Sequence, residues 1–347
     1  IMSIRHLIDS GRIEFVKGDI ADRELVASLL DRYKPQYVIN FAAESHVDRS
    51  VDDPTPFIKS NFEGVFNLLE CCRRQRSAQL ASKAAPTLKK YVQISTDEVY
   101  GDLEVCAPRP GHQDEAAQLG RTYEMYGEDA FTESYPLKGS SPYSASKASA
   151  DLLTLSYYRS FGLPVTITRC SNNYGPRQFP EKLIPLVINN ILHGKVLPVY
   201  GQGTNVRDWI HVDDHARGIL AAARHGKPGE VYNFGGYSEK QNIDIVKSLI
   251  AIVKDAAAKM PSVAAAYPAA LDASDSLITY VTDRPGHDRR YAIDALKAMT
   301  TLGWRPLMRF DEGLASTVRW YLENLDWVKS IVDGDYRDYY EHMYANR

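Results

Sequence analysis

From Arg12 to Cys170, short runs of β-branched and aromatic residues alternate with longer stretches whose apolar positions recur every three or four residues. That alternation predicts the strands and crossover helices of a parallel α/β sheet. Arg12–Ile20 (RIEFVKGDI) reads as a strand, and Asp22–Arg32 as a helix opened by an Asp22 cap. Tyr37–Ala42 (YVINFA) is apolar enough for a central strand covered on both faces. A helix over Pro56–Arg74, a strand at Tyr91–Ser95, a strongly patterned helix over Ser144–Phe161 and a β-branched strand at Val165–Cys170 follow.

Two stretches break this rhythm. Gly101–Ser140 is polar, with Gly and Pro and weak periodicity, and reads as a surface insertion near a site entrance; His112 and its acidic neighbours read as solvated loop. Beyond Asn172 the prolines, glycines and aromatics rise. Pro180–His193 reads as a helix with proline in its first turn, and Asp255–Ala273 as a helix end followed by a variable loop. The aromatics Trp320, Trp327, Tyr336, Tyr339, Tyr340 and Tyr344 read as packing. The expected architecture is a Rossmann-like doubly wound parallel sheet over residues 1–172, rejoined by segments near 205–235, with a smaller C-terminal α/β region over 173–347.

Composition narrows the class. The 347 residues are 44% hydrophobic and 24% charged, as in folded globular proteins. Lys+Arg 41 against Asp+Glu 44 gives −3, so no basic field points to nucleic acid. No apolar run has the length of a membrane span and no signal peptide is visible. Cys71, Cys72, Cys106 and Cys170 have neither metal-ligand nor disulfide-scaffold spacing, which points to a reducing, cytoplasmic setting and no metal.

Three clusters carry candidate chemistry. Tyr143 and Lys147 lie four apart, on one face of a helix, where an ammonium lowers a phenol toward use as a base; the bland alternative is two unrelated surface residues. Ser95-Thr-Asp-Glu98 follows a strand, where open α/β sheets place ligands, and adjacent carboxyls in different surroundings serve as acid and base. Ser95-x-x-Glu98 is also a capping-box pattern, although Gly101 cuts any helix short. Phe41-Ala-Ala-Glu-Ser45 closes another strand with small residues that admit a flat ligand, and the lone His46 beside it reads as a satisfied histidine rather than a metal ligand.

These strand ends converge, and together they resemble the extended short-chain dehydrogenase/reductase family. The runs Ala42–Ser50 (AAESHVDRS), Thr96–Glu98, Ser141–Ala148 (SPYSASKA), Ser171–Pro176 (SNNYGP), Phe179–Pro185, Arg207–Trp209 and Asp283–Tyr291 (DRPGHDRRY) narrow the resemblance to its dTDP-D-glucose 4,6-dehydratases, over nearly the whole chain. The resemblance implies NAD as cofactor and a redox-neutral loss of water from dTDP-D-glucose, giving the 4-keto-6-deoxy sugar. Tyr143, aided by Lys147, takes the 4-hydroxyl proton, Thr96 bonds the 4-oxygen, Glu98 removes the C5 proton and Asp97 protonates the departing 6-hydroxyl. It also implies that Asp19, Ile20, Phe41, Ala42, Ala43, Glu44, Ser45, Ser60, Tyr143, Lys147 and Asn173 touch NAD. For the nucleotide sugar it implies Ser45, Thr96, Asn172, Lys182, Leu183, Pro198, Tyr200, Arg207, Asn242 and the loop Asp283, Arg284, Pro285, Gly286 and His287. Arg207 and Arg284 suit phosphate oxygens through their guanidinium forks, and Lys182 suits them at a helix start. Relatives commonly form homodimers by pairing two long helices, here Pro56–Arg74 and Ser144–Phe161.

One part of the pattern is missing. No G-x-x-G-x-x-G turn for the NAD pyrophosphate precedes Ile13. A chain opening on Ile1 is expected to be a fragment of a longer enzyme, the other reading being a relative that binds cofactor poorly. The competing functions are a UDP-glucose 4,6-dehydratase, an epimerase or decarboxylase of the same family, and a noncatalytic sugar-nucleotide-binding fragment. An epimerase has no need of the Asp97–Glu98 pair.

Overall fold

The computed structural model describes residues 2–103 and 130–332. Cys106, His112 and most of the expected 101–140 insertion, and Tyr336, Tyr339, Tyr340 and Tyr344, lie outside the described residues. The strands in chain order are β1 (Tyr37–Asn40), β2 (Lys90–Thr96), β3 (Val165–Cys170), β4 (Asn172–Tyr174), β5 (Leu197–Tyr200), β6 (Val206–His211), β7 (Val231–Phe234), β8 (Glu239–Gln241) and β9 (Ile278–Val281).

The main sheet has the order β1-β2-β3-β7, all parallel, with Ser95 opposite Arg169 and Thr96 opposite Cys170 across the β2–β3 pair. Helices cover both of its faces. On one, Arg23–Tyr33, Val65–Ala81 and Pro142–Phe161 bring Val26, Leu30 and Leu69 against Tyr91 and Val165; on the other, Val212–His225 packs Ile219 and Ala223 on Val92 and Ile94. β2 and β3 are buried along their whole length, as such a sandwich demands. A second core joins helices Leu183–Leu192, Asn242–Lys259 and Phe310–Glu323 around β4, β5 and β6. Two small sheets, β4-β6-β8 and β5-β9, serve that region. The fold is therefore the expected Rossmann-like doubly wound sheet with a smaller C-terminal α/β region.

Several elements differ from their sequence-based expectation, each for a local reason. Arg12–Ile20 forms no strand; Ile13, Phe15 and Val16 are 37%, 43% and 41% exposed, because no neighbouring strand among the described residues receives their backbone groups. Tyr37–Ala42 stops at Asn40, and it is an edge strand with Tyr37 and Phe41 exposed rather than a central one. The Pro56–Arg74 helix starts at Thr55, runs to Ala81, and passes through a π-helical segment, Ile58–Gly64. Ser144–Phe161 begins instead at Pro142, behind a reciprocal Ser141–Ser144 capping box, and ends at the left-handed Gly162. The helix expected from Pro180 starts at Leu183 with Lys182 as its cap residue, so the first-turn proline is Pro185. Asp255–Ala273 is more regular than expected, with helices through Lys259 and over Pro261–Ala266 and a 3₁₀ turn at Pro268–Asp272. Trp320 and Trp327 do pack, edge to face with each other and with Tyr321.

One ion pair pins the wall between these regions. Arg290 is fully buried and its guanidinium grips Glu239 on β8 with two bonds, Nε to Oε2 at 2.7 Å and Nη2 to Oε1 at 2.9 Å. Glu239→Gln should lower stability by about 1.5–3 kcal/mol, since it turns two charge-assisted bonds to a buried guanidinium into weaker neutral ones. Denaturant unfolding checks this, and a change below about 1 kcal/mol would contradict it.

Candidate functional site

The carboxyl ends of β1, β2, β3 and β7 lie side by side, and the chemistry-bearing residues leave from them. At the end of β2, Thr96 is extended and its Oγ1 accepts from the Glu98 N–H at 3.3 Å, capping a single 3₁₀ turn over Asp97–Tyr100. Thr96 rather than Ser95 is the cap, so the capping-box reading of Ser95 does not hold. The turn stops at Gly101, whose φ of +82° and whose close approach to the Lys138 carbonyl leave no room for a Cβ. A turn this short sends consecutive carboxyls into different surroundings.

Asp97 is 1% exposed; its Oδ1 accepts from the Thr96 hydroxyl at 3.2 Å and its Oδ2 is buried with no partner. Burial, reinforced by Glu98 and Asp208, pushes its carboxyl well above the usual range, with Arg207 opposing. Asp208 behind it is itself raised to about 6 by burial. Glu98 faces a cavity, and burial raises it too, but Arg284, Lys182 and Arg207 all pull it down. The pair is thus biased toward one neutral and one ionised carboxyl.

Tyr143 and Lys147 come off the first turns of the Pro142–Phe161 helix, both buried. The Lys147 ammonium donates to the Ile94 carbonyl of β2 at 2.6 Å, and burial lowers its pKa against the pull of Asp151. In the chain alone, the expected lowering of Tyr143 by Lys147 gives way to the opposite direction. Burial and the charges of Glu98, Cys170 and Asp97 raise the phenol well above its ordinary value, while a hydrogen bond with Thr96 opposes them. Burial is the largest of these causes, and the two carboxyls add to it.

One cavity gathers most of the expected nucleotide-sugar residues. Asn172, Lys182 and Leu183 form one side, Pro198, Tyr200 and Asn242 another, and Glu98, Arg207, Arg284 and His287 close it. Arg207 is held rigidly: Nη2 donates to the Asp288 carbonyl at 2.7 Å, Nη1 to the Val206 carbonyl at 2.7 Å, and the guanidinium lies 4.2 Å from the Tyr291 ring centre. Lys182 donates to the Ser45 carbonyl at 2.7 Å from the cap position rather than from the first helical turn. Asp283 bonds His287 at 2.6 Å, and burial together with Arg284 and Arg207 lowers that imidazole to about 4, so it is neutral at physiological pH. Thr96, Asp97, Tyr143 and Lys147 do not line this cavity, and neither do Ser45, Asp283, Pro285 and Gly286.

Sequence reasoning missed part of this wall. His46, Asp48, Glu181, Trp209 and Tyr291 also line it. Asp48 accepts from the Tyr200 hydroxyl at 3.0 Å and lies 3.7 Å from Arg284, and Arg49 pairs with Glu181 at 3.2 Å. Their signal was their place inside the runs quoted for other residues. His46 caps the Val47–Asp52 helix and is lowered to about 3, chiefly by burial and then by Lys182, which agrees with a satisfied neutral histidine. Among the described residues, no group of three or more His, Cys, Asp or Glu is arranged to hold a metal ion.

The expected cofactor residues follow the β1 and β3 ends. Phe41 is 63% exposed, the Ala42 N–H donates to Asn40 Oδ1 at 3.1 Å, and Asn61 from the π-helical segment brackets Glu44 through its N–H and carbonyl while bonding Ser146. Asn173 bonds His215 at 2.9 Å; Asp19 and Lys59 pair at 3.6 Å, with Ser60 next along the chain, and the Ile20 carbonyl accepts from Asn67. An exposed aromatic ring, small alanines and a buried ammonium with donors to spare fit a nicotinamide riboside. The sequence carries no glycine-rich turn for the pyrophosphate beyond it.

Comparison with known proteins agrees with this geometry. The chain is 44% identical over 345 residues to a dTDP-glucose 4,6-dehydratase of Salmonella typhimurium, covering 99% of this chain and 88% of that protein. It is 45% identical over 345 residues to dTDP-glucose 4,6-dehydratase 1 of Escherichia coli, with the same coverage. Among solved structures, a dTDP-glucose 4,6-dehydratase from Streptomyces venezuelae with NAD bound superposes with a TM-score of 0.78 at 38% identity, covering 95% of this chain and 86% of that one. One from Bacillus anthracis in complex with NAD gives 0.72 at 41% identity, covering 94% and 86%. Residues 3–235 match the family as a whole, and the chain belongs to the NAD dependent epimerase/dehydratase family.

Proposed function

We infer that this chain is an NAD-dependent dTDP-glucose 4,6-dehydratase, a hydro-lyase that turns dTDP-D-glucose into the 4-keto-6-deoxy sugar. The observation that carries it is the Asp97–Glu98 pair, one carboxyl buried with a free oxygen and the other set before three cations at the cavity wall. Elimination needs a neutral acid and an ionised base on one hexose, and a simple epimerisation at C4 needs neither. A binding module would have no use for the unpartnered Asp97 oxygen, whose burial costs stability.

When bound, NAD supplies an acceptor for the C4 hydride and a donor for its return to C6. Phe41, Ala42, Ala43, Glu44, Ser45, Ser60, Asn173, Tyr143 and Lys147 would hold its nicotinamide end, with Asp19 and Ile20 further out. Burial and the nearby carboxyls hold the Tyr143 phenol protonated in the chain alone. With the positive nicotinamide ring bound beside it the phenol would give up that proton, and Tyr143 would then take the 4-hydroxyl proton while Thr96 bonds the 4-oxygen. The 4-ketone acidifies C5; Glu98 takes the C5 proton as the C6–O bond breaks, and Asp97 gives its proton to the departing oxygen, releasing water. Arg207, Arg284 and Lys182 bind the diphosphate, and Asn172, Leu183, Pro198, Tyr200, Asn242 and the 283–287 loop enclose the nucleotide. On this reading residues 1–172, with the returning segment near 205–235, form the cofactor domain, and 173–347 mainly the substrate domain.

We also assign the chain a homodimeric state and a reducing, cytoplasmic setting. Leu152, Phe161, Ile58 and Phe66 are 61%, 54%, 46% and 40% exposed on the Pro142–Phe161 helix and the Thr55–Ala81 stretch beside it, an apolar face suited to a second copy. Cys71, Cys72 and Cys170 are free and buried. Among the described residues no helix is long and apolar enough to cross a membrane.

Three experiments test these assignments. With dTDP-glucose and NAD, Glu98→Gln should still form reduced nicotinamide, seen by its absorbance, yet release no dehydrated sugar; wild-type product formation removes Glu98 from its role. Asp97→Asn should slow turnover about 10²–10⁴-fold. The same change should raise the melting temperature at neutral pH. A carboxyl raised by folding lends its stability below its unfolded pKa and loses it as pH rises toward the folded value, so the gain should vanish near pH ~4. A variant melting below wild type at neutral pH contradicts the burial argument. Leu152→Asp should convert a dimer to monomer in light scattering at micromolar protein, and a wild type that scatters as a monomer sinks the dimer.

A further inference from the structure

Behind the reacting groups lies a buried polar cluster with no part in the scheme above. Asp151 is fully buried, one helical turn beyond Lys147 and on the same face. Its Oδ2 accepts from the Ser95 hydroxyl at 3.0 Å and from Arg169 Nε at 2.8 Å, while its Oδ1 has no partner. Arg169 is 3% exposed, and its Nη1 donates to the Tyr100 hydroxyl at 2.9 Å, with the guanidinium 4.9 Å from that ring's centre. Tyr100 in turn donates to Asn233 Oδ1 on β7 at 2.8 Å.

The positions of these partners matter more than the ion pair. Ser95 immediately precedes Thr96, and Tyr100 closes the 3₁₀ turn that presents Asp97 and Glu98. One carboxylate on the Tyr143–Lys147 helix therefore grips both ends of the acid–base turn, one directly and the other through Arg169. We propose that Asp151 is a positioning residue of the reaction, fixing the Tyr143–Lys147 helix against the Thr96–Glu98 turn and supplying the negative charge that faces the buried Lys147 ammonium. This rests on the dehydratase reading.

The charge half of the proposal follows by elimination. Two groups bear on Lys147 through their charge, Asp151 on its own helix and Cys170 on β3. Burial pushes the Cys170 thiol up to about 12, so it is neutral at physiological pH. Tyr143, nearer the helix start, is held protonated in the chain alone, and Arg169, a cation, pairs with Asp151 at 2.8 Å. That leaves Asp151. A buried ammonium with no counter-charge loses its proton more readily, and with it the positive charge that makes a neighbouring phenol a usable base.

The alternative is a purely structural ion pair, and the two differ in what they move. Asp151→Asn should lower kcat about tenfold or more with KM for dTDP-glucose changed less than about threefold, because Asp151 does not line the cavity. The alkaline limb of the kcat profile should shift down by about one pH unit or more, and Asp151→Glu should bring it back. Because the Asn variant strands Arg169, Asp151→Asn/Arg169→Gln is made alongside and should show the same shift. Ser95→Ala, which keeps the charge and removes one tie, should lower kcat with the limb in place. A titration of isotope-labelled lysine Nζ by NMR reads the charge without turnover, Lys147 deprotonating at lower pH in the Asn variants. An inactive wild type overturns the dehydratase reading alone, since that titration still decides the charge. A folded double variant with an unmoved Lys147 titration, or Ser95→Ala with wild-type kcat, overturns this proposal.

Discussion

The structure turns on the withdrawal from water of two adjacent carboxyl groups at the end of β2. Desolvation raises both Asp97 and Glu98, and the Glu98 charge raises Asp97 further. The protein resolves this conflict by unequal surroundings. Asp97 is turned toward a second buried carboxyl, Asp208, and Glu98 toward Arg284, Lys182 and Arg207. Because like charges so close cannot both ionise cheaply, the proton settles on the side away from the cations. The proposed general acid and general base are thus neighbouring residues of nearly identical intrinsic acidity.

The sheet explains why such neighbours can be treated so differently. Parallel strands end together, and every loop leaving their carboxyl ends opens on one crevice. The 3₁₀ turn after Thr96 points consecutive side chains apart within four residues, where a longer helix would have spread them along its axis. Gly101 then releases the chain before a helix can propagate.

Much of this was legible in the sequence. The β2 and β3 runs, the Pro142–Phe161 helix and the Asp22 cap were read from apolar spacing and cap chemistry, because each depends mainly on its own residues. What failed depended on partners. Among the described residues, Arg12–Ile20 has the pattern of a strand but no ladder to join, and Tyr37–Asn40 has the composition of a central strand but sits at the edge. The π-helical segment leaves no signature in apolar spacing, yet it delivers Asn61 to the Glu44 backbone. In the site, residue types that announce chemistry were found, whereas Asp48, Glu181 and Asp151 were not. A carboxylate that works by holding another side chain looks, in one dimension, like any other.

The charges also divide the site into two halves, and this division carries a directional argument. Arg207, Arg284 and Lys182 line the cavity with Glu98, while Asp97, Asp208 and the protonated Tyr143 do not. A diphosphate entering the crevice is drawn to the first half, and the second offers it no positive charge. A nucleotide sugar is therefore oriented before any specific contact to its ring forms, its hexose led toward the carboxyls by the group at its far end. The same anion, once seated among the cations, weakens the pull they exert on Glu98. That raises the basicity of Glu98, so the binding energy of a nonreacting part of the substrate bears directly on the group proposed to take the C5 proton.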